Sequence, residues 1–284
     1  MYYIEETDKP YGGFTKIFPK VNLKENIISI DGLSEEVKEK KTIKMAQKTD
    51  KILKKSKSNK IVLSKNGQKN EVFKNMLFTY GYDIVEGKWL FEGLSSHVID
   101  YIVKKKNIKK EESYISVLVN ELSDYTLQNI KKFANEFKSL NIVTNHIDKF
   151  KKIEKQILDE SGLIVTITNN KKKSLLKSKI ILNIDFPNET INKYNIKEDA
   201  IIISILKNIK INKKRFNGLV VNNYEIKVND DVLDANIIKS IDKYYTAQAY
   251  EASFYKKMTF ADFSKKIKKD GCEINRLYSI NGVL

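Results

Sequence analysis

Six polar residues stand where short apolar runs end: Asn120 and Ser123, Asn145 and His146, Asn183 and Asp185. The polar cluster Asn120, Glu121, Ser123 and Asp124 is placed to bind a small cation or a polar ligand, His146 to touch a ribose or a 2′-phosphate, and Asp185 is an acid–base candidate. Each has a plainer reading. Ser123 or Asp124 serves as a helix N-cap, His146 as an ordinary loop histidine, and Asp185 as a turn residue before Pro187. In the first third, Ser64-Lys-Asn-Gly-Gln-Lys69 follows an apolar run, so Lys65, Gly67 and Lys69 form a candidate anion loop without the Gly-Lys-Ser/Thr ending of a phosphate loop. His97 shares a helical spacing with Leu90, Leu94 and Tyr101 and reads as a half-buried packing residue. Trp89 reads as a helix-start aromatic or a stacking group, and Tyr244, Tyr245, Tyr250 and Tyr255 as core packing or a partner surface.

Much other chemistry is excluded. The single cysteine, Cys272, forms no internal disulfide and no Cys-rich zinc site, and two histidines 49 positions apart make no short-spaced metal motif, so no metal is expected. With 41% hydrophobic and 31% charged residues the 284-residue chain holds ordinary cores, about two domains' worth. No stretch has the length and apolarity of a membrane span, and the N-terminal MYYIEETDKPYGG has neither a basic n-region nor an apolar h-region; a cytoplasmic protein is expected. The 52 Lys and Arg exceed the 36 Asp and Glu, a net +16. Only Arg215 and Arg276 are arginines, whereas phosphate readers favour Arg, and the basic runs (Lys104-Lys106, Lys171-Lys173, Lys213-Arg215) are short and scattered. A solvated surface is the leading reading and nucleic-acid association the alternative.

Three segments are expected to position these groups: an N-terminal α/β domain over 1–110, a Rossmann-like domain over 111–210, and a hairpin with C-terminal helices over 211–284. The first pairs strands Met1 to Ile4 and Asn26 to Ile30 around a turn-rich segment with Pro10, Gly12, Gly13 and Pro19. It continues with a helix from about Glu35 to Lys55 capped by Ser34, a strand at Lys60 to Leu63, a helix through Phe73 and Leu77, a strand at Asp83 to Val85 and a long helix through Leu90 and Val98. The polar run Lys104 to Glu112 marks the boundary. Then strands Tyr114-Ile-Ser-Val-Leu-Val119, Asn141 to Thr144, Leu163 to Ile167, Lys179 to Ile184 and Ala200 to Ser204 alternate with helices. Such continuous apolar runs fit a parallel sheet covered on both faces, in order 3-2-1-4-5. Beyond them, Asn222-Asn223 reads as the turn of a hairpin, and a helix through Leu233, Ile237, Ile241 and Tyr245 reaches toward Tyr255.

The segments Asn141-Ile-Val-Thr-Asn-His146 with Asp148-Lys-Phe, and Lys177-Ser-Lys-Ile-Ile-Leu-Asn-Ile-Asp-Phe-Pro187, resemble the second-strand end and the fourth strand with its Pro-containing loop in the nucleotide-binding domain of the shikimate dehydrogenase, glutamyl-tRNA reductase and amino-acid dehydrogenase group. Lys197 to Ser204 is similar to that group's fifth strand. The resemblance covers about 113–205 and implies a Rossmann domain with an NAD(P)-dependent oxidoreductase ancestry. This chain departs from the group at the phosphate loop, where Val119-Asn-Glu-Leu-Ser-Asp-Tyr-Thr126 has no glycine. Side chains there would fill the pyrophosphate's space, and Glu121 and Asp124 would oppose its charge. The shikimate dehydrogenase Asn-Val-Thr-x-Pro-x-Lys segment is also missing. Position 145 is Asn where the ribose-selecting acid is expected, and position 146 is His where the group has Arg. The leading functional expectation is therefore a non-catalytic or regulatory protein that binds a small molecule or protein at the inter-domain cleft or through the tyrosine-bearing helix. The alternatives are a divergent NAD(P)-dependent oxidoreductase holding its cofactor through the six residues above, and a nucleic-acid-associated protein.

Overall fold

The computed structural model describes residues 1–7, 19–56, 58–162, 164–254, 258–279 and 282–284. The chain is α/β and divides into two compact units, Met1–Gly87 with Asn229–Lys256, and Lys88–Val228 with Lys257–Leu284. These limits differ from the expected breaks at 110 and 210. The helices after Gly87 pack on the second unit's first long helix, and the chain returns to the first unit after Val228.

The first unit opens with β1 (Tyr2–Glu6), β2 (Val21–Lys24) and β3 (Ile27–Ile30). As expected, β1 and β3 lie side by side, and they are parallel; β2, unforeseen, pairs antiparallel with β3 through a tight turn at Glu25, whose φ is 55°. Pro10, Gly12 and Gly13 lie outside the described residues. Helix α1 (Glu39–Leu53) starts later than expected and is not capped by Ser34, whose carbonyl instead accepts from the Asn70 side chain at 2.7 Å. Then come β4 (Lys60–Leu63), α2 (Lys65–Lys69), α3 (Glu71–Thr79) and β5 (Asp83–Ile84), giving the sheet order β2-β3-β1-β4-β5. The segment expected to be a loop, 64–69, is helical because Ser64 caps it, accepting from Gly67 N–H at 3.1 Å. Ile4, Ile28, Ile30, Ile61, Leu63, Phe73 and Leu77 are sealed in its core.

In the second unit the expected long helix is two, α4 (Lys88–Gly93) and α5 (Ser95–Lys106). His97, on α5, is exposed rather than half-buried by its surface area. The Rossmann-type run follows as β6 (Tyr114–Leu118), α6 (Asp124–Glu136), β7 (Ser139–Val143), α7 (Ile147–Ser161), β8 (Thr166–Thr168), α8 (Lys171–Lys177), β9 (Ile180–Asn183), the unforeseen short α9 (Asn188–Asn192), and β10 (Ile201–Ser204). All residues of β9 and β10 are buried, as central parallel strands require. The expected hairpin is instead one strand, β11 (Leu219–Lys227), running parallel to β10. Asn222 is no turn residue; its side chain accepts from Ile209 N–H at 2.8 Å and donates to Ile209 C=O at 2.9 Å, and the β11 ladder shifts register between Val221 and Asn223. Six parallel strands thus stand in the order β8-β7-β6-β9-β10-β11, a doubly wound sheet one strand wider than expected.

The expected continuous helix from Leu233 is broken. Among the described residues, α10 (Ala235–Ile238) and α11 (Thr246–Ala252), with two 3₁₀ turns, form in the segment that rejoins the first unit. The chain then supplies α12 (Phe260–Lys269) and two further strands, β12 (Glu273–Ser279) and β13 (Gly282–Val283), which extend the second sheet antiparallel where only a helical tail was expected.

Candidate functional site

In a doubly wound sheet the ligand crevice lies beyond the carboxyl ends of the strands, where the order reverses. In the second sheet that point is between β6 and β9, and the chain fills it with its own carboxylate. The Asp185 oxygens, two residues past β9, accept from Asn120 N–H at 2.9 and 3.0 Å, from Glu121 N–H at 2.9 Å and from Asn120 Nδ2 at 3.2 Å. These are the backbone donors that a glycine-rich loop offers to pyrophosphate. The other face of the Asn120 side chain accepts from Asn145 N–H at 3.0 Å, fastening the β7 end to the same knot.

A second carboxylate serves the start of α6. The Ser123 hydroxyl accepts from Thr126 N–H at 3.1 Å and donates to Glu92, and Thr126 Oγ1 donates to the same Glu92 oxygen. Glu92 comes from α4, and Asn129 Nδ2 donates back to its carbonyl at 3.2 Å. The helix end that would favour a ligand anion thus already has a negative charge beside it. Glu121 and Asp124, expected to oppose a pyrophosphate, both lie at the surface. Glu121 pairs outward with Lys149 at 2.6 Å, and that lysine's hydrogen bond holds its carboxyl below the usual value.

Of the six sequence-nominated residues, Asn120, Asp185 and Asn145 meet directly, and Ser123 opens the helix beside them. Asn183 is fully buried and turned inward: its amide donates to Phe186 C=O at 3.0 Å and Ser204 Oγ at 2.9 Å, and its oxygen accepts from Phe186 N–H at 3.0 Å. His146 is exposed at the start of α7, its backbone N–H held by Thr144 Oγ1 at 3.1 Å. Glu92 was missed, since no local signal in the sequence ties it to a loop thirty residues on.

The first sheet repeats the device. At the β1–β4 reversal, Glu6 accepts from Ser64 Oγ at 2.5 Å and Asn66 Nδ2 at 2.9 Å, so the nominated anion loop faces a protein carboxylate. Lys65 is turned to the Asp242 carbonyl at 2.7 Å and lies 5.6 Å from the Tyr245 ring centre. Of the four tyrosines, Tyr244 and Tyr250 are sealed, Tyr244 donating to Glu5 Oε2 at 3.2 Å, Tyr245 is half-buried, and Tyr255 lies outside the described residues. Trp89 is a packing residue, edge-on to Tyr125 and Phe263 with ring centres 5.1 and 5.6 Å away. Burial pushes the Tyr125 phenol up to about 12, with Asp124 and Glu92 adding to the rise, and the phenol donates to Met258 C=O at 2.7 Å. Among the described residues no cluster of three His, Cys, Asp or Glu could hold a metal, and no helix is long and apolar enough to cross a membrane.

No protein-family model and no curated protein sequence matches this chain. Among solved structures it is similar to L-tryptophan dehydrogenase from Nostoc punctiforme (11% identity, TM-score 0.36, covering 80% of this chain and 66% of that one). It is also similar to the A chain of dipicolinate synthase from Bacillus subtilis (10%, 0.32, 64% and 54%) and to apo D-mandelate dehydrogenase from Rhodotorula graminis (8%, 0.36, 75% and 76%). This chain therefore spans about two thirds and about half the length of the first two. The order and direction of the second sheet's strands, not these likenesses, make it Rossmann-type.

Proposed function

We propose that this chain is a non-catalytic binding protein on a Rossmann-type scaffold, a degenerate relative of the shikimate dehydrogenase and glutamyl-tRNA reductase group that has given up its dinucleotide. The observation that carries this reading is the Asp185 carboxylate on the Asn120 and Glu121 N–H groups. A pyrophosphate placed on those donors would have to displace a covalently tethered anion, and Glu92 would repel it from the first turn of α6. An inhibitor fixed in place by the fold competes without any cost of association, whereas a free ligand loses its translational freedom on binding.

Calorimetric titration with NADH and NADPH at moderate salt tests the reading. No heat of binding is expected up to millimolar nucleotide. Micromolar binding to the unmodified chain would refute it and make the protein a divergent NAD(P)-dependent oxidoreductase, with Asn145 and His146 as the first residues to substitute.

A further inference from the structure

The opposite edge of the second sheet gathers charge that the sequence scatters. Where β6, β9, β10 and β11 begin, a recess of about 930 Å³ is lined by Lys106, Lys109, Lys177, Lys179 and Lys197. A second recess of about 930 Å³ shares Lys197, Asp199 and Asn217 with it and adds Lys213, Lys214 and Arg215. The two together carry eight Lys and Arg side chains against three acidic ones, while the whole chain has 52 against 36. The basic runs at 104–106 and 213–215, far apart in sequence, thus reach one surface.

Two of the three acids there are already engaged, and the third, Glu198, is exposed. Asp199 holds Lys179 at 2.7 Å and Lys197 at 3.3 Å, and Glu112 holds Lys109 at 2.9 Å. Lys106, Lys177, Lys214 and Arg215 are exposed, with no carboxylate at ion-pair distance among the described residues. Lys213 is turned to the neutral carbonyl of Tyr194, which leaves its charge uncompensated. Two half-buried aromatic rings border the recesses: Phe216, which also packs against the core of this unit, and Tyr114, whose ring centre lies 5.6 Å from the Lys138 ammonium.

We propose that this edge binds single-stranded nucleic acid, its lysines and Arg215 tracking the phosphates and the aromatic rings offering stacking surface. A cationic groove with interleaved aromatics is the sequence-tolerant way of holding a single strand. A concave recess lined by cations suits a flexible chain of phosphates better than the flat face of an anionic bilayer. The inference is independent of the dinucleotide reading, since the crevice at Asp185 lies at the other end of the strands.

The experiment is fluorescence anisotropy with labelled single-stranded 12-mers, the matching duplex, and vesicles containing an anionic lipid as competitor. With about 0.7 counterions released per neutralised single-strand phosphate and up to five free cations, affinity should fall by up to about 100-fold between 50 and 200 mM salt. The triple change Lys177→Glu, Lys214→Glu and Arg215→Glu should weaken binding by at least about tenfold, and alanine at the same three positions less steeply, on the same electrostatic grounds. Lys40→Glu, Lys44→Glu and Lys51→Glu on α1 of the first unit alter net charge equally and should leave the affinity within about twofold. Equal weakening by the two triple-glutamate variants, absence of binding at 50 mM salt, or preference for duplex or vesicles would each overturn the proposal.

Discussion

Removing the Asp185 carboxylate strips three donors of one acceptor group: Asn120 N–H, Glu121 N–H and Asn120 Nδ2. A hydrogen bond to a charged group contributes roughly 1.5–3 kcal/mol net. Three such bonds sum to roughly 4.5–9 kcal/mol, but Asp185 and Asn120 are half-buried and Glu121 is exposed, so water replaces much of the loss and the cost falls below that range. Asp185→Ala should therefore cost about 2–4 kcal/mol, which for a unit of this size lowers Tm by roughly 5–12 °C. Asp185→Asn should lose nearly as much, because its amide keeps one acceptor and turns an NH₂ toward the remaining donors.

The assay that separates an anion site from ordinary packing is chemical rescue. Thermal melts of Asp185→Ala in formate or phosphate, against chloride at equal ionic strength, should show stabilisation that the unmodified chain lacks. An anion at ten times its dissociation constant returns about 1.4 kcal/mol. If Asp185→Ala melts within about 0.5 kcal/mol of the parent, or if both proteins respond alike to the added anion, the carboxylate is not occupying a phosphate locus and the reasoning fails.

Three further outcomes follow from neighbouring contacts. Glu92→Gln should destabilise by about 1–2 kcal/mol in urea denaturation, since a neutral amide replaces the charged acceptor of Ser123 and Thr126 beside the α6 N-terminus. Gly93→Ala places a methyl 2.5 Å from the Phe263 ring, an overpacking cost of about 1–3 kcal/mol visible in the same measurement. Lys110 bridges Asp100 and Glu136 at 2.6 Å from the latter; burial raises the Asp100 carboxyl, but hydrogen bonds from Lys110 and Lys132 outweigh it and hold it below 3.8. A depressed folded value means stability that is full above the unfolded carboxylate range and lost as pH falls through the folded value. Denaturation curves between pH 6 and 2 should show that acid-side loss, and Lys110→Met should reduce it while costing about 1–2 kcal/mol at neutral pH.

The order of the central strands was legible because β9 and β10 are apolar up to their last residue and β6 and β7 are mostly apolar around Ser116 and Asn141, and such runs have few places to go but the middle of a parallel sheet. The sixth parallel strand was not, because Asn222-Asn223 has the composition of a two-residue turn, and only the long-range bonds from Asn222 to Ile209 show that it is a bulge clamping the preceding loop. The candidate site divides the same way. The lack of glycine between Val119 and Thr126 is a local fact that sets this loop apart from the glycine-rich fingerprint. It pointed to the wrong charges: Glu121 and Asp124 are the nearest acids in sequence, yet both lie at the surface, where Glu121 pairs with Lys149. The anion on the loop's N–H groups arrives 65 residues later, from the end of the strand that the 3-2-1-4 order sets beside β6, and the one at the helix start comes from 31 residues earlier. Because the Asp185 carboxylate already accepts from the Asn120 and Glu121 N–H groups, glycine at 120 or 121 with Asp185 retained leaves those donors occupied and should not create nucleotide binding, which calorimetry with NADH reads directly.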